Sequence, residues 1–153
     1  MGNTLFTDVA NAQTIIEKCD VCYLAMVDQE NKPYVLPFNF GFEEGTVYLH
    51  SGPVGKKIDI LKNNPNVCVS FSTDHQLFNR HEQVACSYGM RYKSVLVKGE
   101  VVFIEDYEEK VRALNIIMRK YAGREFTYNA PAVNNVAVYK VVAGSFETKY
   151  SGY

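Results

Sequence analysis

The 153-residue sequence predicts one mainly β (β+α) domain spanning residues 1–153. The expected form is a small antiparallel β-barrel of about six or seven strands with about three peripheral helices. Three observations carry this expectation. Short apolar runs of strand character recur along the chain, most of them joined by short turns. Strands and helices do not alternate regularly, which argues against a parallel doubly wound sheet. The composition, 47% hydrophobic and 22% charged, is that of an ordered globular chain, and no repeat, linker or low-complexity segment interrupts it.

Thr7 or Asp8 can cap a first helix whose apolar positions Val9, Ala12, Ile15, Ile16 and Cys19 recur at helical spacing. Val21–Val27 (VCYLAMV) reads as a buried strand, and Asp28–Lys32 as a polar turn. Pro33–Phe42 (PYVLPFNFGF) is then the hairpin partner. Pro37 cannot donate to a ladder, so it implies an edge, a bulge or a ligand-facing break. Glu43-Glu44-Gly45 turns the chain into a strand beginning at Thr46.

A helix follows Gly55 and stops at Asn63-Asn64-Pro65. Val67–Phe71 is another strand, whereas Asp74–Met90 is polar and carries at most a short strand at Gln83–Cys86. Tyr92–Ile104 (YKSVLVKGEVVFI) gives the strongest strand signal, with Gly99 suggesting a bulge. Asp106 and Glu109 cap a helix that runs to Tyr121 and ends at Gly123. Gly123–Asn134 reads as loop, Asn135–Val142 as a closing strand, and Phe146–Lys149 as a short last one.

A net charge of −1 lends no electrostatic support to nucleic-acid binding. No run approaches the ~20 apolar residues of a membrane span. Met1–Ala10 lacks the basic start and apolar core of a signal peptide, so a cytoplasmic protein with reduced thiols is expected. Cys19 and Cys22 form a single C-x-x-C with no second pair, and the histidines do not fall at zinc-finger spacing. Buried structural thiols and no metal site are therefore expected. No Ser/His/Asp, Cys/His or paired-carboxylate set is supported either.

The stretch with chemical content is Thr46–Asp59, TVYLHSGPVGKKID. A strand ending in His50 and Ser51 runs through small residues to Gly55 and delivers Lys56 and Lys57 to a helix start. Cations normally suit helix C-termini, so two at an N-terminus are a local inconsistency of the kind that marks binding sites. Backbone amides and ammonium groups there would suit a phosphate. On periodicity and charge alone, a surface loop with solvated lysines explains the stretch at least as well. The segment is neither a Walker A loop nor a G-x-G-x-x-G turn.

Cys22–Phe71 in particular, containing the YLHS…GKK…D element, and with it Arg91–Tyr121, resembles the pyridoxamine 5′-phosphate oxidase-like superfamily of FMN-binding split β-barrels, nearest the nitroimidazole-resistance proteins. The resemblance implies a homodimer with FMN at the subunit interface. It implies that Ser51, Gly55, Lys56 and Lys57 hold the phosphate, and that Pro37, Phe38, Asn39 and Phe40 flank the ring with backbone groups at its pyrimidine edge. His50 would lie by the flavin as the catalytic candidate. Arg91, Tyr92 and Ser94 would close the site, from the same or the other subunit. The implied activity is an oxidoreductase of nitroreductase type: reduced flavin, charged by NAD(P)H or another donor, passes electrons to a small planar acceptor. The alternatives are a non-catalytic flavin carrier or sensor, or a haem binder with His50 as axial ligand. The chain ends in ETKYSGY and lacks the arginine-rich C-terminal pattern of true pyridoxamine phosphate oxidases, so vitamin B6 oxidation is not expected.

Overall fold

A computed structural model describes residues 2–153 and builds them around three long strands. β1 (Asn3–Phe6) and α1 (Val9–Lys18) precede a hairpin of β2 (Cys22–Val27) and β3 (Pro33–Phe38). Next come β4 (Gly41–Glu43), β5 (Thr46–Ser51) and α2 (Lys56–Asn63). β6 (Asn66–Phe78) and β7 (Gly89–Phe103) form a long ribbon, followed by α3 (Tyr107–Ala122), α4 (Ala130–Asn134) and β8 (Ala137–Ser151). The sheet order is β3-β2-β6-β7-β8-β5-β4, with β1 added to β8, and every pairing is antiparallel. This is the expected split barrel, with eight strands because β1 joins the end of β8.

The curl of the sheet follows from β8 having three partners. β7 runs beside nearly all of it, while β5 takes its first part (Val47↔Val141 to Ser51↔Ala137) and β1 its last (Phe6↔Thr148 to Asn3↔Ser151). Inside the curl lies the main core, including Leu24, Met26, Leu49, Val69, Phe71, Val97 and Tyr139. Its ends are sealed by α1 through Ala12, Ile15 and Ile16, and by α2 through Ile58, Ile60 and Leu61. A second core lies where α3 and α4 cover Tyr48 and Val138, using Ala113, Leu114, Ile116, Ile117 and Val133.

Several expectations are corrected here. The single partner strand expected at Pro33–Phe42 is two strands: β3 pairs with β2, and β4 with β5. Pro37 does sit on an edge strand, where its missing N–H costs no ladder bond. No strand forms at Gln83–Cys86; those residues belong to the turn at the ribbon tip, where Ala85–Ser87 make one 3₁₀ turn. Polarity hid the extension of β6 to Phe78, because the ribbon is solvated beyond a register shift between Thr73 and Gln76. The loop expected at Gly123–Asn134 contains α4, capped by Asn129 and started by Pro131. The two closing strands are one, β8, with the bulge on it rather than on β7. Lys98 pairs with Ser145 and Gly99 with Ala143, leaving Gly144 as the extra residue.

Gly99 is needed because of that bulge: a Cβ there would stand 2.1 Å from the Val142 carbonyl oxygen, a backbone atom that cannot step aside. Gly99→Ala is therefore expected to lower stability by about 1–3 kcal/mol, read as the urea midpoint, while near-wild-type Gly144→Ala shows that the close approach and not the bulge residue is the constraint. Equal midpoints for wild type and Gly99→Ala would contradict the packing described.

Candidate functional site

Among the described residues there are four α-helices, and three are capped by a side chain. Asp8 accepts from the Asn11 N–H, Asp106 from Glu109 and Asn129 from Ala132. α2 is different: its cap residue is Gly55, at φ 130°, with no side-chain cap bond. The first-turn amides of α2 are therefore left open, and the space where a Gly55 Cβ would go is empty to 4 Å. Lys56 and Lys57 stand at this start, and among the described residues neither forms an ion pair. Their ammonium groups lie instead over aromatic faces, Lys56 at 4.6 Å from the Tyr34 ring centre and Lys57 at 5.6 Å from that of Phe38.

β5 delivers the rest of the corner. His50 is registered with Val138 and Ser51 with Ala137 on β8. The buried Tyr139 hydroxyl donates to Ser51 Oγ at 3.1 Å, and Ser51 Oγ donates to the Gly52 carbonyl at 3.0 Å. Tyr139 also packs edge-on to Phe38, with centroids 6.2 Å apart, so Phe38, Tyr139, Ser51 and Lys57 form one chain of contacts. Tyr139 and Tyr34 were not singled out from the sequence. The alternation in Asn135–Val142 could have found the former as an inward position.

His50 is half-buried, and its Nδ1 is buried without a hydrogen-bond partner. Burial holds the imidazole below its ordinary value of 6.5, which makes it neutral at pH 7. A neutral ring donates one hydrogen bond and accepts one, and within the fold this nitrogen does neither.

The structure does not bring all the sequence candidates together. Pro37 and Asn39 are exposed at the end of β3 and Phe38 is buried beside them. Phe40, however, is 0% exposed, packs edge-to-face with Phe71 in the core, and donates its N–H to the Tyr121 hydroxyl at 3.1 Å. In this chain neither its ring nor its amide is available to a ligand. Arg91, Tyr92 and Ser94 lie at the start of β7, where Tyr92 is registered with Ser151. His50 is registered with Val138, thirteen positions away along β8. That is about 40 Å of strand at ~3.3 Å per residue. Arg91 nonetheless has a signature in common with His50: its Nε is buried without a partner, while its guanidinium faces Phe78 at 5.3 Å and Tyr153 at 6.0 Å.

Cys19 and Cys22 are buried free thiols. The one S–H of Cys19 has the carbonyls of Ile15 and Ser72 as its two possible acceptors, and burial raises Cys22 to about 12, so neither is poised to react. Among the described residues no His/Cys/Asp/Glu group is arranged for a metal ion, and no helix is long and apolar enough to cross a membrane.

The chain is thus a split barrel in which an uncapped, lysine-bearing helix start follows β5, next to the edge strand β4. The chain belongs to the pyridoxamine 5′-phosphate oxidase family, whose model matches residues 8–149. It is similar to a proposed 5-nitroimidazole antibiotic resistance protein from Bacteroides thetaiotaomicron, at 45% identity over 97% of this chain and 89% of that one, with a TM-score of 0.84. The fold also matches an FAD- and haem-binding protein from Mycobacterium smegmatis, with 15% identity, 97% and 74% of the two chains covered and a TM-score of 0.84. An FAD-binding protein from Mesorhizobium loti matches at 19% identity, 99% and 100% covered, with a TM-score of 0.71. These two similarities are of fold alone. No curated protein matches the sequence significantly.

Because the folded chain resists charging His50 and the unfolded chain does not, protons favour unfolding. The effect is absent well above pH 6.5 and grows as pH falls below it. The stability of wild type relative to His50→Gln, measured by urea titration, is expected to fall between about pH 7 and pH 5. Parallel pH curves for the two proteins would contradict a neutral, buried imidazole.

Proposed function

We propose that the protein is a cytoplasmic FMN-dependent oxidoreductase that works as a homodimer. The observation that carries the reading is the start of α2: open amides, a glycine cap and two ammonium groups that form no ion pair among the described residues. Of the helix starts in this chain, this one is suited to a phosphate monoester. Family membership and the 45% identical neighbour support a flavin mononucleotide as its owner.

Within this reading, Gly55, Lys56 and Lys57 bind the phosphate, with Ser51 Oγ held beside them by Tyr139. FMN, when bound, supplies the redox chemistry, taking a hydride from a nicotinamide nucleotide and passing electrons to a small planar acceptor of nitroaromatic type. Phe38 gives a fixed apolar wall, and Pro37 and Asn39 present exposed edge-strand backbone and an exposed amide. Phe40 takes no part, since its N–H is already given to Tyr121. His50 acts through a hydrogen bond from a neutral imidazole rather than as an acid, because its depressed pKa leaves little imidazolium at pH 7. His50 and Arg91 belong to opposite ends of β8, so Arg91, with Tyr92 and Ser94, serves the site of a partner subunit.

The purified protein is expected to show flavin absorption, and Lys56→Ala/Lys57→Ala to weaken FMN binding by roughly 10- to 100-fold and flatten its salt dependence. Unchanged affinity in that double variant would refute the phosphate assignment. A haem Soret band without flavin bands would replace the reading with the haem-binding alternative. Bound flavin that neither a nicotinamide nucleotide reduces nor a nitroaromatic reoxidises would leave a carrier.

A further inference from the structure

A second cationic position lies behind the first and belongs to no part of the proposed reaction. Lys110, in the second turn of α3, is only 9% exposed, unusually little for a lysine. Its Nζ donates to the Val136 carbonyl at 2.9 Å, one neutral acceptor for three N–H donors. Among the described residues it forms no ion pair. The acidic residues nearest in sequence are committed elsewhere or solvated: Asp106 caps its own helix, and Glu105 and Glu109 are exposed. A buried ammonium with so little compensation is costly, and an anion is what would offset it.

Space for one is present. Lys110 and Val136 both line a cavity of about 190 Å³, together with Lys62, Glu105, Pro53 and Phe103. Lys62 brings a second ammonium, 5.9 Å from the centre of the Phe103 ring and without an ion pair. Two lysines against one exposed carboxylate make the cavity net cationic. Its size suits a single oxoanion rather than a ring system. Pro53 ties it to the Ser51–Gly55 loop, and the Ala137 and Val138 in its wall are registered with Ser51 and His50.

We infer that this cavity is a second anion site, taking a phosphate group between Lys62 and Lys110. The phosphate is either free or the outer phosphate of a dinucleotide whose inner phosphate occupies the α2 corner. The second of these sources rests on the flavin reading; the first does not.

The test is calorimetric titration of the purified protein with inorganic phosphate, done on Lys56→Ala/Lys57→Ala so that the α2 corner is silent. Saturable binding is expected in that background, with Lys62→Ala added to it weakening phosphate by about ten-fold or more. Lys110→Met is expected to abolish binding and, in phosphate-free buffer, to be at least as stable as the parent, since it removes an uncompensated buried charge. If Lys110→Met does not fold, the exposed Lys62→Ala decides. Loss of FAD affinity but not FMN affinity in Lys62→Ala identifies the dinucleotide source. Loss of inorganic phosphate binding alone identifies the free anion. No phosphate binding in the silent-corner background, or binding that Lys62→Ala leaves unchanged, would overturn the site even if the α2 corner binds FMN as proposed.

Discussion

The whole architecture depends on the ladder between β7 and β8. Its pairing runs from Tyr92↔Ser151 to Phe103↔Tyr139 and is broken once, where Gly144 is extruded and Gly99 lets the Val142 carbonyl come close. A bulge at that point increases local twist, and the twist lets one strand serve β5 at its start and β1 at its end. Curling of the sheet follows, and with it an interior that α1 and α2 must seal. The seal puts the start of α2 against the end of β5, beside Tyr139. The α2 corner is thus a consequence of how the barrel is closed, not an addition to it.

The same ladder sets the limits of what one chain does. Near its two ends lie two half-buried side chains that each keep one buried nitrogen without a partner in the fold, His50 Nδ1 near one and Arg91 Nε at the other. Burying such a group without a partner costs stability. Thr148 is a third case, with an unpartnered buried hydroxyl between Val95 and Phe6. Electrostatically the α2 corner is set up for an anion by omission: the other helix starts spend a carboxylate or amide on their own amides, and this one does not.

Much of this was legible in the sequence because it follows from local rules. Asp8, Asp106 and Gly123 mark helix ends as expected, with Gly123 in the left-handed region. The Gly55-Lys56-Lys57 start was visible as a charge in the wrong place for a helix dipole. What stayed hidden depends on pairing at a distance. β1 is too short and too exposed to show a pattern, and it exists because the end of β8 offers it an edge. The extension of β6 past Asp74 is polar, so alternation carries no signal there. The burial of Phe40 is hidden for a related reason: an aromatic–polar–aromatic run reads the same whether its second ring faces a ligand or the core. Only the packing of Phe71 and the Tyr121 hydroxyl distinguishes the two. Lys110 is the extreme case, a lysine in a capped helix that nothing local marks as buried.

The central claim is that each flavin site takes its phosphate corner from one chain and Arg91 from another. Mixed dimers test it directly: one chain carries Lys56→Ala/Lys57→Ala, the other Arg91→Ala, and tight FMN binding is counted per dimer by fluorescence quenching. Each parent homodimer has two damaged sites and should bind weakly. In the mixed dimer both lesions fall on one site, so one intact site per dimer is predicted. Mixed dimers with no tight site, or tight binding by a monomer, would contradict the account.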